Sequence, residues 1–303
     1  MADAVPSAVQ SSEQRSEAGT ARALELLDVL ELERIEANLL RGRNETVRLP
    51  RLFGGQVLAQ ALVAAGATVE TTLPVHSLHG YFLRAGDPER PVLYEVDRIR
   101  DGRSFVTRRV VAIQRGDAIF SMSLSFHKTE AGFEHAEPMP NVPPPEELRE
   151  DAEVVAELPP DTPGPSPMAG QPRPFHYRSV CAPGSEAARQ DRRFHPGWLR
   201  FRQAVDDRPY LHAALLAYAS DMALVSTSTL PHQSTMDRSA LQIASLDHAM
   251  WFHRDVRVDE WLLFQRHTTS AAGGRGLNHA EVYGRDGGLR VSITQEGLIR
   301  PRY

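Results

Sequence analysis

A single cysteine, Cys181, is found among the 303 residues. No intrachain disulfide can form, which points to a reducing compartment and a cytoplasmic location. The thiol sits in the Pro- and Gly-bearing stretch Ser179–Gly184 with no local base to activate it, so it is set aside as a nucleophile. No apolar run reaches the length of a membrane span, and no membrane-spanning segment is expected. The stretch Met1–Thr20 is polar, rich in Ser, Ala, Gln and Glu, and has no apolar h-region. It reads as a disordered tail and not as a signal peptide. The chain ends Arg300-Pro301-Arg302-Tyr303, which is not the Ser-Lys-Leu address. Basic runs are missing and the net charge is −5, which argues against nucleic acid as a partner. There is no HExxH, no CxxC and no Walker-type GxxxxGK. His248 and His253, like His76 and His79, are an odd number of residues apart in strand-like runs, so each pair faces opposite ways and makes a poor metal site. No GxSxG elbow is present, so an acyl-enzyme route on an α/β-hydrolase scaffold is not expected. No metal and no organic cofactor is implied.

What remains is the profile of a globular protein: 24% charged and 41% hydrophobic residues, in a length that suits two ordinary domains or one large one. Its most informative stretch is Leu211–Val225, LHAALLAYASDMALV, in which Asp221 is the only charged residue. A segment apolar or small on nearly every side reads as a buried helix. A carboxylate buried there must be paired, protonated or functional. An Asp near a helix end that hydrogen-bonds local backbone would have the same signature.

The rest of the chain is organised around a repeat. Leu24–Leu40 has helical spacing and reads as one or two short amphipathic helices. Gly54–Val69 is a second small-residue buried helix, followed by strand-like runs at Ser77–Leu83, Val92–Ile99, Ser104–Gln114 and Ala118–His127. Glu137–Pro174 is dense in proline (Pro143-Pro144-Pro145, Pro159-Pro160, Pro163-Gly164-Pro165) and reads as a surface-wrapping linker that need not be regular. The second half repeats the order: a strand at Gly197–Gln203, the Asp221 helix, then strands at Gln242–Arg254, Glu260–Ser270, Leu277–Gly284 and Leu289–Ile299. Tyr81-Phe82-Leu83-Arg84 aligns with Trp251-Phe252-His253-Arg254, and Val92-Leu93-Tyr94 with Leu262-Leu263-Phe264. Turns at Arg115-Gly116 and Asp286-Gly287 fall at nearly the same offset. Such a long-period repeat predicts a duplicated α+β unit, each copy a helix packed on an antiparallel sheet. The divisions are a tail at 1–20, a first unit at 21–135, the linker at 136–171 and a second unit at 172–303.

Longer motifs sharpen this plan. They are Phe53-Gly54-Gly55-Gln56-Val57, His79-Gly80-Tyr81-Phe82-Leu83-Arg84-Ala85-Gly86-Asp87, Arg100-Asp101-Gly102-Arg103-Ser104-Phe105 with Arg108-Arg109-Val110, and Ala131-Gly132-Phe133-Glu134-His135. The second half adds Tyr218-Ala219-Ser220-Asp221, Ser245-Leu246-Asp247-His248-Ala249-Met250-Trp251-Phe252-His253, Arg275-Gly276 and Gln295-Glu296-Gly297. In these motifs the chain resembles the acyl-CoA thioesterase II (TesB-like) family. The resemblance runs from about Leu26 to the C-terminus, the linker excepted. It implies a double hotdog fold, hydrolysis of fatty acyl-CoA to free acid and CoA, and assembly of double hotdog units into homo-oligomers. The catalytic set it implies is Asp221, Ser245 and Gln295, the middle position being Thr or Ser among relatives.

The residues themselves support this set unevenly. In the last strand Leu289, Val291, Ile293 and Gln295 share one face, so Gln295 is the polar residue on the face that should meet the helix. An amide satisfied by backbone at a strand end would read the same way. Ser245 shares a face with Ile243, Asp247 and Ala249, but the opposite face is apolar too, so the place of Ser245 rests on the resemblance. Asp247 is a rival acid, better explained by a backbone or His248 partner. The reaction expected is direct attack by a water held by Asp221, Ser245 and Gln295, with a backbone N–H near a helix end meeting the oxyanion. The first helix lacks a carboxylate, so one working site per pair of units is expected. Gly55 and Gln56 are candidates to approach the thioester, although packing explains the glycine as well. Arg84, Arg108 and Arg109 are candidates for the CoA phosphates. Two other readings are carried. One is a hotdog enoyl-CoA hydratase, which would want His where this set has Gln and Ser. The other is an acyl-CoA-binding module that does not turn over, which has no need of a buried acid.

Overall fold

A computed structural model describes residues 12–46, 50–70, 73–159, 162, 171–190, 193–208, 210–222, 224–234 and 240–302. The chain begins with helix α1 (Ser12–Val29), then the short strands β1 (Glu33–Glu36) and β2 (Leu39–Gly42) and helix α2 (Gly54–Gly66). Strands β3 (Val75–Phe82), β4 (Val92–Asp101), β5 (Phe105–Gln114) and β6 (Asp117–His127) complete the first unit. The connection carries a 3-10 turn (Pro145–Glu147) and helix α3 (Asp151–Glu157). The second unit has β7 (Phe175–Ser179), α4 (Glu186–Arg189), β8 (Phe194–Phe201), α5 (Leu211–Ser220), a 3-10 segment (Val225–His232), β9 (Leu241–Ser245), β10 (Asp247–Phe252), β11 (Leu262–Ala272), β12 (Arg275–Gly284) and β13 (Leu289–Pro301).

All thirteen strands form one sheet in the order β1-β2-β4-β5-β6-β3-β10-β13-β12-β11-β8-β7, with β9 on β13. Every pairing is antiparallel, and the halves join where β3 meets β10, with Tyr81 opposite Asp247 and Ser77 opposite Trp251. Outward from that seam the two halves run in the same order, β3-β6-β5-β4-β2-β1 and β10-β13-β12-β11-β8-β7. This is the duplicated α+β plan expected of a double hotdog. The equivalent hairpin turns use the left-handed region, at Arg115 and Gly116 in one half and at Gly287 in the other; glycine enters that region without a Cβ clash.

The sheet wraps α2 and α5, which lie buried against each other. Small residues permit this approach. A Cβ on Gly66 would run into the ring of Tyr210, the residue that caps the start of α5. Leu58, Ala61, Leu62 and Ala65 of α2 and Ala214–Ala217 of α5 are fully buried in one apolar core with Leu78, Phe120 and Phe126. By length and composition the helical stretch Leu211–His232 would suffice to cross a membrane, contrary to the sequence expectation, because α5 passes through a turn into the 3-10 segment. It is 71% buried within the fold, the place of a core helix.

Several boundaries differ from the expectations. Residues 1–11 lie outside the described residues, but Ser12–Thr20, read as tail, begins α1. Ala23, Leu26 and Val29 bury this helix, and Gly19 lies under Arg202 of the second unit; tertiary packing supplies what local polarity does not. The stretch read as helical through Leu40 ends at Val29 and turns into the β1–β2 hairpin. The expected strand Gln242–Arg254 is two strands broken at Leu246, and the edge strand β7 had no separate reading. The Pro-rich connection packs on the second unit, with more order than expected. Met139, Val142 and Leu148 pack on Trp198, Trp261, Leu263 and Tyr283. The Trp198 indole donates to the carbonyl of Pro143 (2.9 Å), and Asp151 accepts from both the N–H and the hydroxyl of Ser179 (2.8 and 2.7 Å). Pro160 and Pro163-Gly164-Pro165 lie outside the described residues.

Candidate active site

Helix α5 ends at Asp221, whose φ of −83° and ψ of −10° close its last turn. A carboxylate at the C-terminus of its own helix meets the negative end of that helix's dipole. The N-terminus of α2 offsets this. The backbone N–H of Gly55 donates to the Asp221 carboxylate, and Gly54 lies against it so closely that a Cβ there would be 2.7 Å from Oδ2. Both glycines are needed where helix end meets helix end.

Strands bring the other partners. The Ser245 hydroxyl donates to Asp221 Oδ1 at 3.0 Å, and the Gln295 amide donates to the same oxygen at 2.6 Å. Gln295 is fully buried, on the face it shares with Val291 and Ile293. Ser245 is half-buried at the end of β9. The break at Leu246 explains why alternation could not aim it: Leu246 N–H bonds to Glu296 O while its carbonyl accepts from Phe82 N–H, so the chain changes partners there. Asp247 accepts from the backbone N–H of Glu296 at 2.6 Å, the backbone partner expected of it.

Burial pushes the Asp221 carboxyl up to about 6, against the lowering effect of the hydrogen bonds from Gln295, Ser245 and Gly55. Such a group is ionised near neutrality yet readily takes a proton, as a general base should. One atom of the cluster is left over: Gln295 Oε1 is buried and has no partner among the described residues. Behind Gln295 stands His248, fully buried, its Nδ1 3.0 Å from Gln295 Nε2 and its Nε2 2.8 Å from Ser220 Oγ. His248 was weighed in the sequence as a metal ligand and as a partner for Asp247, not as a partner of Gln295. A buried His in a strand paired to the Gln295 strand was the signal that could have found it.

The other sequence candidates separate. Gly55 is at the site. Gln56 is not: its side chain is buried but turned to the loop before α2, accepting from Glu45 N–H and donating to Asn44 Oδ1. Arg108 is buried, pairing with Asp101 and donating to the hydroxyl and carbonyl of Thr68, so it is not placed to meet a phosphate. A strand's alternation puts Arg109 on the opposite, exposed face. Arg84 is exposed and donates to the carbonyl of Ala118.

Among the described residues the first half has no such cluster. Arg108 stands opposite Leu124 on β6 as Asn278 stands opposite Gln295 on β13. Leu124 thus occupies the Gln295 position, and its own partner across β3 is Leu78. Helix α2 ends in Gly66-Ala67, with no acid. Among the described residues the cluster therefore occurs in the second unit alone.

Residues 42–127 and 145–299 match the models of the acyl-CoA thioesterase N-terminal and C-terminal domains. The chain belongs to the TesB-like acyl-CoA thioesterase II family. It is a thioester hydrolase with the double hotdog fold. It is 40% identical over 292 residues to mouse (Mus musculus) acyl-coenzyme A thioesterase 8, covering 93% of this chain and 91% of that one. It is 33% identical to acyl-CoA thioesterase 2 of Haemophilus influenzae, over 91% and 96% of the two chains. The crystal structure of the acyl-CoA thioesterase II TesB2 from Mycobacterium marinum superposes with a TM-score of 0.76 at 39% identity, covering 91% of this thioesterase and 98% of that chain.

Proposed function

We propose that the protein hydrolyses fatty acyl-CoA to free fatty acid and CoA by a water held between Asp221 and Gln295. The observation that carries this reading is the division of hydrogen-bonding capacity in the cluster. Ser245 and Gln295 both donate to Oδ1 of Asp221. Oδ2, beside Gly54, and Gln295 Oε1, without a partner among the described residues, then have acceptor capacity to spare beside the single Gly55 N–H that the carboxylate also takes. A water has two hydrogens to give. Donating one to each acceptor leaves a lone pair to attack the thioester carbonyl. Asp221 takes the proton as the C–O bond forms, and the tetrahedral oxyanion falls to first-turn N–H groups of α2 other than that of Gly55, which a helix leaves without internal partners. Collapse expels the CoA thiolate, which recovers the proton held by Asp221. Ser245 positions the carboxylate and need not form an acyl-enzyme.

The same geometry bears on the hydratase alternative. His248 is near, but Gln295 separates it from Asp221 and both its ring nitrogens are engaged, so it has no free position from which to move a proton to a substrate carbon. A cytoplasmic location and homo-oligomeric assembly belong to the same proposal, and sedimentation of the purified chain reads the latter.

The test follows CoA thiol release from short, medium and long acyl-CoAs by the wild type and by Asp221→Asn, Ser245→Ala and Gln295→Ala. Hydrolysis by the wild type that falls about 100- to 10,000-fold in Asp221→Asn supports the reading. Tight acyl-CoA binding without release by the wild type moves the function to a binding module.

A further inference from the structure

Gln295 can present either its nitrogen or its oxygen to Asp221, and the proposed reaction needs the nitrogen there at every stage. An ionised carboxylate enforces that choice by itself. A protonated one does not: once Asp221 holds the proton from water, its O–H can donate to a flipped Gln295 Oε1, and the water-side acceptor is lost. Something other than Asp221 must hold the amide. Among the described residues, His248 is the only other side chain bonded to the Gln295 side-chain amide.

Its two nitrogens have fixed roles. The Ser220 hydroxyl has the carbonyl of Ala217 at 2.8 Å to donate to, and donating there it accepts from His248 Nε2, 2.8 Å away. The ring proton is therefore on Nε2, and Nδ1 offers a lone pair to the Gln295 NH2 at 3.0 Å. A flipped amide would set Oε1 against that lone pair. We propose that His248 is a positioning residue, held in its Nε2–H form by Ser220, that locks Gln295 with its NH2 toward Asp221 and its oxygen toward the reacting water. The proposal rests on the water-holding role given above to Asp221 and Gln295. It also accounts for the first half, where Leu78 and Leu124 stand as a strand pair and α2 ends without an acid. There the histidine, the glutamine and the carboxylate are missing together. Burial holds the imidazole far below its ordinary range, at about 3, so the ring stays neutral wherever the enzyme works.

The experiment measures kcat, KM and the pH dependence of kcat/KM for His248→Leu, His248→Asn and Ser220→Ala, with Asp221→Asn alongside. Leucine keeps the volume and removes the acceptor, while asparagine can return an oxygen close to the Nδ1 position. His248→Leu is expected to lower kcat about 10- to 100-fold, the scale of a small misplacement of a reacting group, with KM changed less than threefold. Its acid limb moves to higher pH, because a flipped amide stabilises protonated Asp221. His248→Asn restores most of kcat and returns the limb. Ser220→Ala shows the same shift in smaller measure, and these two variants carry the test if His248→Leu fails to fold. Wild-type kcat in His248→Leu, or a loss with an unmoved limb and no rescue by asparagine, overturns the proposal. Full turnover by Asp221→Asn overturns the water-holding reading itself, and the role of His248 falls with it.

Discussion

Gly55 meets the backbone of Tyr218 so closely that a Cβ on the glycine would lie 2.5 Å from the Tyr218 carbonyl oxygen. This contact holds the N-terminus of α2 against the last turn of α5, three residues before Asp221. A carbonyl in a helix cannot move aside as a flexible side chain can, and the Phe53 ring, itself edge-on to Tyr218 at 4.9 Å, closes the other side. Gly55→Ala is therefore expected to force the helices apart, at about 1–3 kcal/mol in stability. The Gly55 N–H is also withdrawn from Asp221, so kcat should fall even in protein that remains folded. Denaturant unfolding with thiol-release kinetics on the same sample checks both. An alanine variant as stable and as fast as the wild type would mean that α2 does not seat the carboxylate.

The pH dependence of the reaction follows from Asp221. Its carboxyl lies at about 6 because burial outweighs three hydrogen bonds that favour the ion. General-base chemistry needs the ionised form, so kcat/KM for the free enzyme is expected to rise with pH through about 6 and then level. Removing a donor removes an interaction that favours the ion. In Ser245→Ala the limb should thus move to higher pH, and a move to lower pH would contradict the assigned direction of that hydrogen bond.

The two motifs Arg275-Gly276 and Gln295-Glu296-Gly297 have a structural explanation that spacing did not suggest. Gly276 and Gly297 are paired across β12 and β13, and the 3-10 segment Val225–His232 settles into the dent they leave. A Cβ on Gly276 would collide with Ser228, and one on Gly297 with Val225. Ser228 in turn donates to Asn278, whose amide donates to the backbone carbonyl of Gln295. Gly297→Ala is expected to cost about 1–3 kcal/mol and to lower activity by shifting the strand that carries Gln295. Because the clash is with a side chain, Val225→Ala should restore part of both losses. A double-mutant cycle measures that coupling, and strict additivity would show that the two positions do not meet.

Much of this was legible in the sequence, for identifiable reasons. Asp221 stood out because no other charge lies in its segment, and Gln295 because the last strand alternates cleanly. Ser245 could not be aimed by period, because β9 and β10 are separate strands and the break at Leu246 resets the alternation. Arg108 and Arg109 looked equivalent as neighbours, but a strand sends them to opposite faces, one into an ion pair with Asp101 and one to the surface. Gln56 looked poised for substrate because it follows two glycines at a helix start, yet helical rotation turns it to Asn44 and Glu45. His248 was hidden because its partners, Ser220 and Gln295, lie 28 and 47 residues away in sequence.

Asp221 and His248 also pull the acid stability of the protein in opposite directions. Asp221 has a folded pKa of about 6, above the unfolded value of about 3.9. The native state holds its proton more tightly, so its contribution to stability is present at low pH and lost as pH rises through about 6. His248 has a folded pKa of about 3, below the unfolded value of about 6.5. Its contribution is present above about 6.5 and lost as pH falls toward 3, because the unfolded chain takes up a proton that the native ring refuses. Between about pH 4 and 6 the two partly cancel. Asp221→Asn removes the group that favours the acid side, so its unfolding free energy should fall more steeply on acidification than that of the wild type. His248→Asn removes the opposing group and should flatten the same curve. At about 1.4 kcal/mol per pKa unit, the divergence between the variants should reach a few kcal/mol by pH 4.5. Urea unfolding at pH 7, 5.5 and 4.5 measures it, and parallel curves for the two variants would show that neither group is buried as described.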